Sequence, residues 1–274
     1  MSDTALWVAA YRARESARPD AVFRDPHAAA LAGERGMRIV EDMARRHPSW
    51  PLVARTWLID RMLEERLAGD FDLVVNLAAG LDTRPYRLKL SEKITWIEVD
   101  LAGITEYKTK LLEDAEPACR LERIVCDLSD AAARRALLSD LDRRFKKALV
   151  ITEGLLVYLS TEQATGLAKD MAAASAPRSW IADLASPSLL KMLQKSLGPA
   201  MAQAPMKFAP ADGPRFFEPF GWRPVDARGL LRAAGEIRRL PPLLRLFSWL
   251  PEGKAPWKRR APWGGVCSFE RTRA

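Results

Sequence analysis

Residues 72–82, Asp72-Leu-Val-Val-Asn-Leu-Ala-Ala-Gly-Leu-Asp82, combine a short apolar run with a turn of small residues and an acid. A nearly continuous apolar run of this length is typical of a strand buried on both faces of a parallel sheet. Small residues after such a strand let the backbone approach a ligand closely. The segment therefore predicts the first strand of an α/β sheet, with a ligand-binding turn at its carboxyl end.

Four more apolar runs follow this segment along the chain, at residues 94–99, 121–125, 148–152 and 180–182. Stretches with helical periodicity separate them, at residues 103–114, 130–145 and 161–174. Strands that alternate with helices indicate a mostly parallel sheet covered on both faces. A last apolar run at 264–270 predicts a terminal strand.

Carboxylates follow these runs closely. The first run is followed by Asp82, and the next four by Asp100, Asp127, Glu153 and Asp183. In open parallel sheets the ligand lies just beyond the carboxyl ends of the strands. Asp100 lies 20 residues after Gly80, which is the spacing of an acid that binds ribose hydroxyls. Each acid alone could cap a helix, but the ordered set predicts a nucleoside site in which Asp127 and Leu128 flank the adenine.

The turn residues indicate which nucleoside derivative is bound. A dinucleotide site uses G-x-G-x-x-G, whose glycines admit the pyrophosphate, whereas here those positions are Ala78, Gly80 and Thr83, with Asp82 between them. The missing glycines and the negative charge disfavour a pyrophosphate and suit a cationic ligand without phosphates, such as S-adenosylmethionine. An NAD(P)-dependent Rossmann oxidoreductase and a non-catalytic binding protein with the same fold are the alternatives.

Two segments outside the strand–helix alternation have their own predictions. Residues 1–70 have helical patterns and predict an N-terminal helical cap, which leaves residues 71–274 for the sheet domain. Residues about 186–225 are rich in proline and aromatic residues and predict a lid insertion after the fifth strand. Within it we expect an apolar acceptor pocket lined by Phe208, Phe216, Phe217 and Phe220.

Composition excludes several functional classes. The net charge is +8, but the basic residues come in short pairs that alternate with acids, which is typical of solvated helix faces and not of a nucleic-acid site. The three cysteines lack metal-site or disulfide spacing, and the two histidines, His27 and His47, are too few for a histidine-rich metal centre. We expect no metal, no nucleic acid and no membrane partner, and a cytoplasmic location, because no signal segment or long apolar run is present.

A longer motif links the chain to a known family. Residues 77–88, Leu77-Ala-Ala-Gly-Leu-Asp-Thr-Arg-Pro-Tyr-Arg-Leu88, resemble the LGAGLDTRAYRL motif of the leucine carboxyl methyltransferase-like family, which includes bacterial polyketide carboxyl methyltransferases. Three more segments agree with it: Arg55-Thr56 with Asp60, Ile97-Glu-Val-Asp-Leu101, and Thr152-Glu-Gly-Leu-Leu-Val-Tyr-Leu159. The resemblance covers residues 4 to 185 and becomes looser after that.

The resemblance implies a Rossmann-like class I S-adenosylmethionine-dependent methyltransferase with a seven-stranded sheet. It implies cofactor contacts from the methionine end to the adenine, with Arg55 on the carboxylate, Glu153 on the ammonium and Asp100 on the ribose. The other expected cofactor-binding residues are Ala78, Gly80, Asp82, Leu101, Asp127 and Leu128. Ala78 occupies the position of the first glycine of the motif. We expect Thr83, Arg84 and Arg87 to fix the loop after the first strand.

The acceptor is predicted from the lack of a general base. Methyl transfer from a sulfonium is a direct displacement, so a base is needed only where the nucleophile carries a proton. No histidine occurs after residue 47, whereas a carboxylate with a pKa near 4 arrives ionised. We therefore expect O-methylation of a carboxylate on a small or secondary metabolite, with Glu153 and Tyr158 as candidate catalytic residues. Methylation of a hydroxyl or phenol is the alternative.

Overall fold

The computed structural model describes residues 3–44, 48–197, 204–253, 255–258 and 261–272. At its centre seven strands form one sheet in the order β3-β2-β1-β4-β5-β7-β6. The strands are β1 (Leu73–Leu77), β2 (Thr95–Asp100), β3 (Arg120–Val125), β4 (Ala148–Thr152), β5 (Pro177–Ala185), β6 (Trp222–Gly229) and β7 (Gly264–Arg271).

The sheet is mostly parallel, as the sequence predicts. Strands β1 to β5 pair in parallel with their neighbours, and β7 runs antiparallel between β5 and β6. The carboxyl ends of β1 to β5 therefore meet at one edge, which we call the carboxyl edge. Two boundaries differ from the prediction: Asp183 lies inside β5 and not after it, and β6 begins at Trp222, within the residues assigned to the lid.

The helices connect the strands and cover the sheet. They are α1 (Asp3–Ser16), α2 (Ala28–Ala44), α3 (Trp50–Leu67), α4 (Arg84–Arg87), α5 (Ala102–Leu111), α6 (Ala131–Arg144), α7 (Thr161–Ala173), α8 (Pro187–Leu197), α9 (Leu230–Glu236) and α10 (Pro242–Ser248). Short 3₁₀-helices lie at Leu156–Tyr158, Gly213–Phe220 and Pro256–Lys258. Side-chain caps start two of the helices: Asp130 caps α6, and Ser160 forms a capping box with Gln163 at α7.

The two faces of the sheet carry separate hydrophobic clusters, because alternate residues of a strand point to opposite sides. In β1, Leu73, Val75 and Leu77 pack with residues of α6 and α7. Val74 faces the other way and packs with residues of α3 and α9. Helices therefore cover both faces, in agreement with the prediction.

The N-terminal helices form a third cluster beside the turn that follows β1. Side chains of α1 and α2 pack there around Leu81, with Tyr158 at the margin. Arg12 donates to the carbonyl oxygen of Leu81 at 2.5 Å and to Asp25 at 2.8 Å. Asp25 therefore anchors α1 to the turn, and α2 begins three residues later at Ala28. By contrast, α3 packs on the sheet itself.

The aromatic residues of the predicted lid lie in the core, so the prediction that they line an acceptor pocket is wrong. Phe208 and Phe217 are buried, and the ring of Phe217 lies 4.8 Å from Trp180 and 5.5 Å from Phe269, centroid to centroid. Phe216 and Phe220 pack against the same cluster. The physical reason is that a 3₁₀-helix, not an α-helix, packs on this part of the sheet, and aromatic side chains fill the space.

Among the described residues, no helix is both long enough and apolar enough to cross a lipid bilayer.

Replacement of Phe217 tests whether this segment is core. Phe217→Ala should lower the free energy of unfolding by about 3–5 kcal/mol, because a fully buried ring is removed from a packed cluster. The partly buried Phe220 provides the control, and Phe220→Ala should cost clearly less. Urea unfolding followed by circular dichroism measures both, and equal small losses would contradict the assignment to the core.

Candidate functional site

The turn after β1 has an unusual backbone. Ala78 and Gly80 both lie in the left-handed region, with φ of 56° and 53°. The Gly80 amide donates to Asp100 Oδ2 at 2.7 Å, which ties the turn to the end of β2. A Cβ atom on Gly80 would meet nothing within 4 Å. The glycine is thus required by its backbone conformation, and the space above the turn is open.

Next to this turn, the ends of β2 and β3 expose apolar side chains. Leu101 is 53% exposed and Val125 is 57% exposed, and Val125 pairs in register with Asp100. The second oxygen of Asp100 accepts a hydrogen bond from the Leu101 amide at 2.8 Å. The structure therefore brings Gly80, Asp100 and Leu101 to one open surface, as the sequence predicts.

The residues expected at the adenine follow β3. Asp127 accepts hydrogen bonds from the amide and the hydroxyl of Ser129 at 2.9 and 2.7 Å, and these bonds lower the pKa of the Asp127 carboxyl. Leu128 is partly buried against the core. Asp127 is solvent-exposed and ionised at neutral pH, so its side chain can accept a hydrogen bond from a ligand.

A network of buried charges lies at the ends of β1, β4 and β5. Arg55 of α3 donates through Nε to Glu153 Oε1 and through Nη1 to Asp183 Oδ2, both at 3.1 Å. Asp183 also accepts a hydrogen bond from the Gly154 amide at 2.7 Å. Burial lowers the pKa of Arg55, but the charges of Asp183 and Glu153 outweigh it and raise that pKa overall.

Arg84 of α4 extends the network into the interior. Its Nη1 donates to Glu153 Oε2 at 2.7 Å and to Asp82 Oδ2 at 2.9 Å, and its Nε donates to Asp60 at 2.7 Å. Arg87 binds the same Asp60 at 2.6 and 2.8 Å. Thr83 donates to Asp25 at 2.6 Å. The prediction that these residues fix the loop is confirmed, and the contact of Arg84 with Glu153 was not foreseen.

Asp82 differs from its predicted role. Its carboxylate is buried and accepts hydrogen bonds from Asn76 Nδ2 at 2.7 Å and from the Arg84 amide at 3.0 Å, in addition to the Arg84 guanidinium. Burial raises the pKa of Asp82, but Arg84 and Lys108 outweigh it, so the pKa lies well below its usual range. Because both oxygens have internal partners, Asp82 acts on the turn and does not face the open surface.

The two expected catalytic residues have pKa values shifted in opposite directions. Burial raises the pKa of Glu153, but Arg84 and Arg55 more than offset this, and the pKa is lowered overall. Burial raises the pKa of Tyr158, whose hydroxyl is hydrogen-bonded to Thr4. The lowered pKa makes the Glu153 carboxylate a weak base, and both its oxygens accept from arginines. The raised pKa keeps Tyr158 protonated at neutral pH, so neither side chain is suited to accept a proton from an acceptor.

One donor of Arg55 remains available. Nε and Nη1 are engaged, whereas Nη2 has no hydrogen-bond partner among the described residues. The side chains of Arg55, Glu153 and Asp183 are 13%, 15% and 17% exposed. The site therefore offers one guanidinium donor beside two carboxylates. Asp183 was expected at this edge with the other acids but was given no role of its own at the cofactor.

The remaining sequence candidates lie elsewhere. His27 packs edge-on against Tyr86 at 5.3 Å, and His47 lies outside the described residues. The three cysteines are buried and free. In the described part of the chain, no group of three or more His, Cys, Asp or Glu residues is arranged to hold a metal ion.

The comparisons with known sequences agree on one family. The sequence model of the leucine carboxyl methyltransferase family matches residues 5–172. A protein of Streptomyces coelicolor, described as a candidate S-adenosyl-L-methionine-dependent methyltransferase, is 35% identical over 167 residues, which are 57% of this chain and 59% of that protein. A protein of Frankia alni with the same description is 31% identical over 268 residues, 87% of this chain and 89% of that protein.

Solved structures share the fold at low sequence identity. A DUF574 family protein from Streptomyces avermitilis has a TM-score of 0.58 and 15% identity, with 97% of both chains covered. A candidate methyltransferase from Thermobifida fusca has a TM-score of 0.60 and 15% identity, with 88% of this chain and 90% of that chain covered. At this identity the likeness shows the architecture alone.

Replacement of Ala78 tests the strain in the turn. The left-handed conformation destabilises an L-residue by about 1–2 kcal/mol, and a glycine would remove this strain. A glycine also makes the unfolded chain more flexible, which lowers the stability by about 0.4–1 kcal/mol. Ala78→Gly should therefore leave the free energy of unfolding unchanged or raise it by up to about 1 kcal/mol.

Ala79 is the matched control, because it is buried, adjacent and outside the left-handed region. Ala79→Gly should lower the free energy of unfolding by about 1 kcal/mol. Urea unfolding of both variants measures the difference, and equal losses would mean that the turn at Ala78 is not strained.

Proposed function

The chain belongs to the leucine carboxyl methyltransferase family and is an S-adenosylmethionine-dependent methyltransferase, and we propose that it methylates a carboxylate of a small molecule. This family assignment excludes the nicotinamide-dependent oxidoreductase that the sequence left open. The observation that carries the proposal is the charged network around Glu153, which contains no group suited to deprotonate an acceptor.

The charge of the network fits the methionine end of the cofactor. It joins four carboxylates and three guanidiniums, namely Asp60, Asp82, Glu153, Asp183, Arg55, Arg84 and Arg87. One negative charge is thus in excess, whereas the methionine end carries an ammonium, a sulfonium and a carboxylate, with one positive charge in excess. Complementary charge of this kind favours binding and fixes orientation.

We assign the ends of the cofactor accordingly. Arg55 Nη2 would donate to the methionine carboxylate, since guanidinium binds carboxylates strongly, and Glu153 with Asp183 would accept from the ammonium. The turn at Ala78 and Gly80 would lie beneath the sulfonium, where open space is available.

The nucleoside would lie along the ends of β2 and β3. The Asp100 carboxylate would accept hydrogen bonds from the ribose hydroxyls, and the exposed side chains of Leu101 and Val125 would pack on the adenine. Asp127 would accept a hydrogen bond from the exocyclic amine, with Leu128 beside the ring. Asp82 has no direct contact in this assignment and acts by holding Arg84.

When bound, S-adenosylmethionine supplies a sulfonium-linked methyl group that is transferred in a single displacement. The task of the protein is to hold the acceptor oxygen in line with that methyl group, and positioning of this kind can account for about 7–11 kcal/mol of the barrier. We propose that Tyr158 contributes, because its protonated hydroxyl could donate a hydrogen bond to an acceptor carboxylate. Its ring packs in the cluster of α1 and α2.

The acceptor pocket would be closed by the N-terminal cap together with part of the insertion. Leu193 of α8 and Met206 pack against the same cluster as α1, α2 and Tyr158. We therefore propose that α1 and α2 form the cap, and that residues near 193 and 206, and not the phenylalanines, are the part of the insertion that shapes the pocket.

Replacement of Asp100 tests the cofactor assignment. Asp100→Ala should weaken S-adenosylmethionine binding by about 1–3 kcal/mol, because the ribose and the Gly80 amide both lose a charged acceptor. Titration calorimetry measures the dissociation constant. Asp114→Ala, at an exposed acid beyond α5, is the control and should leave it unchanged. An unaltered affinity in folded Asp100→Ala would refute the assignment.

The chemistry of the product tests the carboxylate proposal. With a labelled methyl group and a panel of small carboxylic acids and phenols, methyl transfer should favour the acids, and mild alkali should release the label as methanol. Because Glu153 is held ionised and a carboxylate needs no base, the single-turnover rate should stay nearly constant between about pH 6 and 9. A base-stable product, or a rate that rises tenfold per pH unit, would indicate a hydroxyl acceptor.

A further inference from the structure

Helix α10 exposes an unusual set of large apolar side chains. Leu243, Leu246, Phe247 and Leu250 are 78%, 75%, 54% and 59% exposed, and Trp249 is 85% exposed. Leu243, Leu246 and Phe247 stand at positions i, i+3 and i+4 of α10 and lie on one side of the helix, whereas Trp249 and Leu250 directly follow its last residue, Ser248. Monomeric proteins rarely leave such a contiguous apolar face in water unless it binds something.

The opposite side of α10 is fixed to the protein, so the apolar side has a defined direction. Ser248 is buried and packs closely on Gly235 of α9, where a Cβ atom would lie 2.3 Å from the Ser248 hydroxyl. Leu244 lies one turn before Ser248 and is less exposed than its apolar neighbours. The contact between Ser248 and Gly235 therefore holds α10 against α9, and the leucine and aromatic side chains face outward.

The stretch of sequence that carries this apolar face is basic. Residues 238–260 contain seven Lys or Arg and one acid, Glu252. Arg238 and Arg245 are exposed and form no ion pair within the described residues. Arg239, by contrast, binds Glu15 at 2.7 Å and Asp20 at 3.0 Å and fastens the segment to the end of α1.

We propose that α10 and its basic flanks bind the surface of a membrane that contains anionic phospholipids. Leucine and phenylalanine side chains on one side of a short helix can enter the headgroup boundary, as can a tryptophan beside it, and neighbouring arginines and lysines attract anionic headgroups. A second copy of this chain fits less well, because two such faces would bring like charges together.

This inference departs from the sequence-based expectation of no membrane partner. That expectation rested on the lack of a spanning segment, and no span is needed for binding in the plane of the interface. The inference is independent of the acceptor proposed above.

Sedimentation of the full chain with vesicles tests the proposal. The protein should bind vesicles of phosphatidylglycerol in phosphatidylcholine, bind pure phosphatidylcholine at least tenfold more weakly, and be released by salt. Leu246→Asp should weaken the binding at least tenfold. Leu111→Asp, which changes an exposed leucine at the end of α5, should have no effect.

A second pair of variants separates charge from apolar contact. Arg245→Gln should weaken binding to the anionic vesicles about fivefold, the effect expected of one basic residue near a charged surface. Arg135→Gln removes an exposed charge on α6 and should leave the binding unchanged.

Three outcomes would overturn the proposal. Equal binding to neutral and anionic vesicles would show that charge plays no part. A lack of vesicle binding by a monomeric protein would show that this face does not bind lipid. A lack of vesicle binding together with a concentration-dependent dimer that Leu246→Asp abolishes, measured by sedimentation velocity, would assign the face to a second copy.

Discussion

The carboxylate of Glu153, shared between Arg55 and Arg84, is the contact on which the rest of the site depends. It joins three elements that are distant in sequence: α3 through Arg55, α4 through Arg84, and the end of β4 through Glu153 itself. Removing one member of a buried ion pair typically costs about 3–5 kcal/mol, because a charge is left uncompensated. The network therefore imposes a common geometry on the helix, the loop and the strand, and that geometry sets the shape of the binding surface.

Local sequence pattern was sufficient for most of the sheet and for part of the site. Continuous apolar runs identified β1 and β4, and the positions of Gly80 and Asp100 after neighbouring parallel strands predicted that both lie at the carboxyl edge. The hydrogen bond between them was not predicted. The pairing of Arg55 with Glu153 spans 98 residues, and nothing local marks it. The sequence analysis placed Asp183 after the end of β5, whereas the strand continues to Ala185 because these residues pair with β7. Phe217 was assigned to a lid from composition, whereas its ring packs against Trp180 of β5 and Phe269 of β7.

The turn after β1 is held from two sides, and this connects the cap to the cofactor surface. Asp100 holds the Gly80 amide from the sheet, and Arg12 holds the Leu81 carbonyl from α1. Asp25, which binds both Arg12 and Thr83, adds a second contact from the cap. A displacement of α1 would therefore move the turn, so the closure that we propose over the acceptor would also change the geometry at the proposed cofactor site.

The contact of Arg239 with Glu15 has a consequence for the order in which the chain is completed. The two residues are 224 positions apart, and a ribosome adds roughly 5–20 residues per second, so the partner of Glu15 emerges roughly 10–45 s after it. During that interval α1 has been made, whereas the segment that holds its carboxyl end is still missing. The apolar side of α1 packs on α2, which follows it directly in the sequence, so the ion pair at Glu15 is formed long after that packing becomes possible.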